Sequence, residues 1–427
     1  MLKGVIGGRT RSNNLHFAPK TARRSPGRIV AVVAVLVLVV VAAGVVKAAA
    51  TEPPVPTVRS ALPARATFPG SPPAPAWPQA GQAAVEVEGL PPIGSSGAAA
   101  PVPIASLAKI MTAYVVLEDH PVAPGQAGFS TTVGAAAVTD FDQRAAAAES
   151  VVAVNAGETL TEQQLLQGLL VPSANNFAVL LADYDAGSVT AFVTKMQAAA
   201  RTLGMTHTTY TDPSGLAPTT VSTAGDQLIL AARAMSIPVF AQTVALASVD
   251  LPVAGRLANF FQTIGSGGYI GIKTGSDSTA GGCLVFANRQ TTGGRTYTIL
   301  GAVLGQDKGD KSTTRLISAV QNAADALVRS IAPAIQVRTV VPAGTVAAVV
   351  DDAQGRHVTA VTDTPLTQLG YGGMTVPVTV SLDPVRASVH RDQAVARVSI
   401  AGDGSATART SNAVPPVSFT WRLTHYY

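Results

Sequence analysis

Ser106 and Lys109 stand three residues apart in the run Pro103-Ile104-Ala105-Ser106-Leu107-Ala108-Lys109-Ile110-Met111-Thr112-Ala113-Tyr114, which is apolar almost all round. Such a run reads as a helix buried inside a domain, with Pro103 suited to its first turn. A spacing of three puts both polar residues on one face, about a turn apart, where they can share a hydrogen bond. A serine hydroxyl attacks a carbonyl only when a base removes its proton, and a lysine amine is that base only when desolvation or a neighbouring cation lowers its pKa. An apolar helix supplies the desolvation. By itself the pair also fits a snorkelling lysine beside a spectator serine. Two further polar islands change the balance. Ser173-Ala174-Asn175 interrupts the apolar stretch from Gly168 to Ala182, and Lys273-Thr274-Gly275 closes the glycine-punctuated, strand-like segment Gly268-Tyr269-Ile270-Gly271-Ile272.

The order SxxK, SxN, KTG resembles the signature set of the penicillin-recognising serine enzymes. Further stretches narrow the resemblance: Gly157-Glu158-Thr159-Leu160-Thr161, Leu203-Gly204-Met205, Asp212-Pro213-Ser214-Gly215-Leu216, Ser222-Thr223-Ala224 and Ala280-Gly281-Gly282-Cys283-Leu284-Val285. Together they are similar to the low-molecular-mass D-alanyl-D-alanine carboxypeptidases, over roughly Ala83 to Ile331. The resemblance implies that Ser106 attacks the carbonyl between the last two D-alanines of a peptidoglycan stem peptide and becomes acylated. It implies that Lys109 takes the serine proton and that Ser173 relays a proton to the leaving D-alanine. Asn175 would orient Lys109 and hold the peptide. Lys273 would be a fixed positive charge that attracts the terminal carboxylate, Thr274 would hydrogen-bond that carboxylate, and Gly275 would let the substrate lie against the strand. The backbone N–H groups of Ser106 and Ser276 would form the oxyanion hole. Water then releases the acyl group, and β-lactams are expected to acylate Ser106 covalently. The same chemistry leaves a D,D-endopeptidase and a β-lactamase open, and a catalytically inactive cell-wall binding protein is the reading from another class. Asp277-Ser278-Thr279, the glycine-rich Ile264 to Gly268 and the alanine-rich 145–148 depart from the family's pattern and bear on the rim of the site and on substrate preference.

Other chemistries have less support. The six histidines are scattered, with no helical metal pair, and no GxSxG elbow accompanies a serine. No metal or organic cofactor is implied. Cys283, the sole cysteine, lies in an apolar strand-like run and reads as a buried structural residue. The formal charge of +5 is uneven: seven of the 30 Lys and Arg lie in 1–28 with no acidic residue, leaving 23 against 25 Asp and Glu. A nucleic-acid partner would need those cations on a folded surface, so none is expected.

The elements that must carry these residues follow. After the basic arm (1–28), residues 29–46 are mostly Val, Ala and Leu without a charge, long enough to span a bilayer, with the amino terminus cytoplasmic and the rest outside. This segment reads as an uncleaved transmembrane anchor; Ala48 and Ala50 leave open a cleaved signal peptide and a secreted enzyme. Residues 47–82 are rich in Pro and Ala and read as an extended linker. Residues 83–332 read as an α+β catalytic domain, a helical block with an antiparallel sheet. Its expected strands are 83–88, 269–273, 283–287 and 297–304, and its closing helix is capped by Asp310 or Ser312. No element is assigned to 138–154. Residues 333–427 contain short Val- and Thr-rich runs at 337–341, 346–350, 358–361, 376–382, 394–400 and 417–423, read as strands of a small all-β, sandwich-type domain.

Overall fold

The computed structural model describes residues 26–401 and 403–425, so the basic arm expected at 1–28 lies outside it except for its last three residues. The unit that carries Ser106 and Lys109 is built on a five-stranded antiparallel sheet. Its strands run in the order Tyr269–Asp277, Gly281–Thr292, Arg295–Gln306, Gln82–Val87, Gly94–Ser96. Side chains alternate across the sheet: Cys283, Val285 and Ala287 join the core shared with the helical block, whereas Leu284 and Phe286 join the core under the closing helix Thr313–Ile331. A strand covered on both faces has no polar side, which is why Cys283 to Ala287 reads as an unbroken apolar run. Ser312, one of the two expected caps, accepts from the Arg315 N–H and starts the closing helix.

The helical block carries Ala108–Asp119, Glu162–Leu170, Asn175–Ala186, Val189–Leu203 and Ala224–Met235. The first is buried at every position from Ala108 to Leu117, as its composition requires. Thr161 and Gln164 close a capping box on the second, and Gly204 at φ 80° ends the fourth. The unassigned stretch resolves into a helix, Ala135–Ala146, with no buried residue, followed by a loop. Without a buried stripe it has no apolar period to betray it.

A second sheet has seven strands, and here the expected linker is corrected. Thr57–Ser60 pairs antiparallel with Val346–Asp351, and Arg65–Thr67 pairs with Thr375–Leu382, so part of 47–82 forms the two edges of a seven-stranded sheet. Proline marks the ends of these short strands and not their interiors, which leaves edge pairing open to them. Five of the six expected strands in 333–427 are present; Leu366–Gly370 and Asp403–Thr410 are added. The sixth, expected at 417–423, is instead the helix Phe419–His425, with the Trp421 N–H donating to Ser418 Oγ at 3.2 Å as an N-cap contact. This helix packs beside Pro26–Ala50, and Arg422 donates to the Thr51 carbonyl at 3.0 Å. Pro26–Ala50 is long and apolar enough to cross a membrane over Gly27–Ala50.

Candidate active site

Ser106 sits in a single 3-10 turn, Ala105–Leu107, that runs straight into the helix Ala108–Asp119. The turn is tied down on its upstream side, where Val102–Pro103 pairs with Val221–Ser222. Ala105 adopts φ 47°, a left-handed conformation costing a non-glycine residue of order 1–2 kcal/mol. Gly215 approaches the Ala105 carbonyl so closely that a Cβ there would collide with it. The strained turn is therefore held by its neighbours, and it aims Ser106 into a cleft of about 290 Å³.

Lys109 lies one turn beyond, with no exposed surface. Its Nζ is 2.8 Å from Ser106 Oγ, 2.7 Å from Asn175 Oδ1 and 3.1 Å from the Ser214 carbonyl. Burial, with the Lys273 charge adding to it, holds the amine well below the ordinary lysine value. A neutral amine has two N–H donors and one lone pair. Asn175 Oδ1 and Ser214 O accept only, so they take the two donors, and the lone pair is left facing the Ser106 hydroxyl.

Ser173 lies in the turn between Glu162–Leu170 and Asn175–Ala186, and Asn175 is the first residue of the second helix. Ser173 is also left-handed, at φ 64°, and its buried Oγ has no hydrogen-bond partner among the described residues. Both residues line the same cleft as Ser106. On the opposite wall the strand Tyr269–Asp277 contributes Thr274, Gly275 and Ser276. A Cβ at Gly275 would lie 3.0 Å from the Ser106 nitrogen and 3.0 Å from the Ile104 carbonyl oxygen, so glycine lets the strand run against the serine turn.

Lys273 is buried beneath this wall and donates to the Thr274 carbonyl at 2.9 Å. Its burial drives the pKa down to about 7. The charge expected there is thus not fixed near neutral pH; an arriving carboxylate would restore it.

All eight residues expected from the sequence converge on this cleft or directly beneath it, and three groups were not anticipated. Asp212 accepts from Ser214 N at 3.2 Å, Ser214 Oγ at 2.7 Å, Leu216 N at 2.9 Å and Thr220 Oγ1 at 2.6 Å, which shapes the loop whose carbonyl holds Lys109. Thr112 Oγ1 donates to the Pro213 carbonyl at 2.6 Å and pins the same loop to the serine helix. The Asp-Pro-Ser-Gly order is a turn signature that could have revealed the loop. Glu149, from the loop after Ala135–Ala146, accepts from Asn175 Nδ2 at 2.9 Å and Arg144 Nη1 at 2.8 Å. No sequence pattern marks it.

Of the departures noted at the rim, Asp277 lines the cleft and its Oδ1 accepts from the N–H groups of Thr279 and Ala280, both at 2.7 Å. Ala147 and Ala148 also line it, whereas Ile264 to Gly268 do not. Cys283 is buried in its strand, with its thiol pushed up to about 12 by desolvation.

A buried lysine poised on a serine, facing a strand suited to bind an extended peptide, defines a serine acyl-transfer site. The profile of the peptidase S11 family, D-alanyl-D-alanine carboxypeptidase, matches residues 93–307, just over half of the chain, and the chain belongs to that family. It is 37% identical over 153 residues to a D-alanyl-D-alanine carboxypeptidase of Mycobacterium tuberculosis, covering 35% of this chain and 48% of that one. It is 31% identical over 191 residues to a D-alanyl-D-alanine endopeptidase of Pseudomonas aeruginosa, covering 43% and 58%. The chain thus spans about half the length of these curated relatives. Among solved structures, a Streptomyces DD-transpeptidase matches with a TM-score of 0.52 at 27% identity, over 62% of this chain and 100% of that one. A peptidoglycan synthesis regulatory factor of Streptococcus pneumoniae shares the fold, with a TM-score of 0.55 at 20% identity over 80% and 100%.

Proposed function

We propose that the protein is a serine-type D-alanyl-D-alanine carboxypeptidase that removes the terminal D-alanine from peptidoglycan stem peptides. The observation that carries this reading is the fully buried Lys109 amine 2.8 Å from Ser106 Oγ. In the proposed cycle Ser106 Oγ attacks the penultimate D-alanine carbonyl while its proton passes to Lys109 Nζ. The oxyanion is received by the N–H groups of Ser106 and Ser276, a kind of contact worth about 3 kcal/mol per donor. The C–N bond then breaks, Ser173 relays the proton held by Lys109 to the departing amine, and D-alanine leaves from an acyl-enzyme. Water attacks the ester and restores Ser106.

Lys273 and Thr274 hold the terminal carboxylate, and Asn175 and Gly275 accommodate the peptide backbone. A β-lactam presents the same reactive carbonyl and forms a lasting ester on Ser106. The apolar helix Pro26–Ala50 supports a membrane-anchored enzyme, and the basic residues before it support a cytoplasmic amino terminus with the catalytic unit outside.

The test is release of free D-alanine from a pentapeptide ending in D-Ala-D-Ala by the detergent-solubilised full chain, with Ser106→Ala alongside. Release by the parent and none by the variant is expected. A folded parent that releases nothing from this substrate would overturn the carboxypeptidase assignment. Cleavage confined to cross-linked peptides would replace it with endopeptidase activity, which the Pseudomonas relative's name favours as the second reading.

A further inference from the structure

The Asn175 amide has two ends of opposite character, and only one orientation leaves Lys109 able to act as a base. With Oδ1 towards the lysine, the amide accepts one of the amine's N–H groups. Turned over, Nδ2 would face Nζ and donate to the lone pair that must receive the Ser106 proton. Lys109 itself does not select between these arrangements strongly, because an amine can donate or accept. A carboxylate on the far side of the amide does select, because it accepts only.

Glu149 is that carboxylate. Its Oε2 lies 2.9 Å from Asn175 Nδ2, at the end of the amide opposite Lys109. The carboxylate is in turn held by Arg144 Nη1 at 2.8 Å, and Arg144 Nε reaches Asp140 at 2.8 and 2.9 Å. The loop is fastened along its length. The Asn175 N–H donates to the Ser150 carbonyl at 2.8 Å, Asn176 Nδ2 donates to the Val152 carbonyl at 2.8 Å, and the Val152 N–H donates to Asn176 Oδ1 at 3.1 Å. Glu149 therefore cannot drift from the amide without unfastening these bonds.

We propose that Glu149 is a positioning residue: by accepting from Asn175 Nδ2 it locks the amide so that the Lys109 lone pair stays directed at Ser106. The proposal rests on the acyl-transfer reading above and names a part of that site which neither the family signature nor the sequence pattern supplies. Glu149 also acts on the charge of Lys109. The charged groups around that amine are Lys273, Asp212, Arg144 and Glu149, and Glu149 is one of the two that favour its protonated form.

The test is the rate at which a fluorescent penicillin labels Ser106, measured from acid to alkaline pH on the detergent-solubilised full chain, with melting temperatures recorded alongside. Glu149→Ala is expected to slow labelling about 10- to 100-fold, the scale seen when a hydrogen bond that orients a metal ligand is lost, with little change in melting temperature. Glu149→Gln keeps an oxygen that can accept from Nδ2, so it should recover most of the rate. Its acidic limb should move to lower pH, because a charge that favours protonated Lys109 is gone. Labelling of Glu149→Ala within twofold of the parent at every pH overturns the proposal. If the alanine variant does not fold, Glu149→Met, which keeps the side-chain length but offers Nδ2 no oxygen, takes its place, and labelling by it within twofold of the parent overturns the proposal equally. A folded parent that penicillin does not label at all overturns the acyl-transfer reading, and this proposal with it.

Discussion

The two walls of the cleft each bury a lysine, and they treat it differently. On the helix side Lys109 has three oxygen partners within 3.1 Å; of the residues that supply them, Asn175 is tied down by Glu149 and Ser214 by Asp212, while Thr112 pins the adjoining Pro213. On the strand side Lys273 makes one hydrogen bond among the described residues, to the neighbouring carbonyl of Thr274. A lysine with every donor matched is preorganised for a proton transfer that must happen in one place. One with unused donors and a pKa brought down to about 7 is arranged to gain its charge when an anion arrives. In the proposed cycle the helix wall would carry the chemistry and the strand wall the capture.

Breaking the helix wall should have the largest effect. Ser106→Ala should abolish penicillin labelling, and Lys109→Ala should slow it at least about 10³-fold, as loss of a general base does in other serine enzymes; retained labelling in either would dissolve the distinction between the walls. On the strand side, Lys273→Ala should raise KM for D-Ala-D-Ala peptides and lower kcat/KM by about 10- to 100-fold, since a charge-assisted contact is worth a few kcal/mol at most. A kcat that falls with no change in KM would instead put Lys273 in the chemistry.

Stability sharpens the contrast in a second way. Lys273 has a folded pKa of about 7 against 10.5 for the ordinary amine. Below pH 7 both states hold the proton and the fold carries the full desolvation penalty. Between 7 and 10.5 the unfolded chain keeps a proton that the folded one has lost, so stability rises with pH. Lys273→Met should therefore stabilise the protein most below pH 7, by about 3–5 kcal/mol, with the gain shrinking towards pH 10.5; melting curves at pH 6 and pH 10 check this. A constant difference would show that burial does not shift the lysine. The smallest expected effect is at the support of the helix wall. Thr112→Val leaves the Pro213 carbonyl without its partner and should cost about 1–2 kcal/mol in urea unfolding, with labelling slowed only a few-fold.

The same division explains what could be read from the sequence. Ser106, Lys109, Ser173, Asn175 and Lys273 were legible because each motif keeps its members within a few residues, so spacing alone places them on a common element. The closing helix Thr313–Ile331 was legible because its apolar period and its cap at Ser312 act locally. Glu149 and Asp212 act on residues 26 and up to eight positions away, through contacts that only the folded chain creates. Thr57–Ser60 and Arg65–Thr67 were hidden for a related reason: edge strands with partners about 300 residues on need neither alternation nor an apolar face. The helix Phe419–His425 was misread because Val417 and its neighbours suggested a strand, while the cap at Ser418 was the stronger local signal.

The most direct test of the account is the pH dependence of Ser106 acylation in the parent chain, with the adduct located by mass. A neutral Lys109 predicts that the rate reaches its plateau well below pH 10.5, the ordinary lysine value, and that Ser106→Ala carries no adduct. A rate still climbing at pH 10.5, or an adduct elsewhere than Ser106, would contradict the claim that a buried, neutral lysine activates this serine.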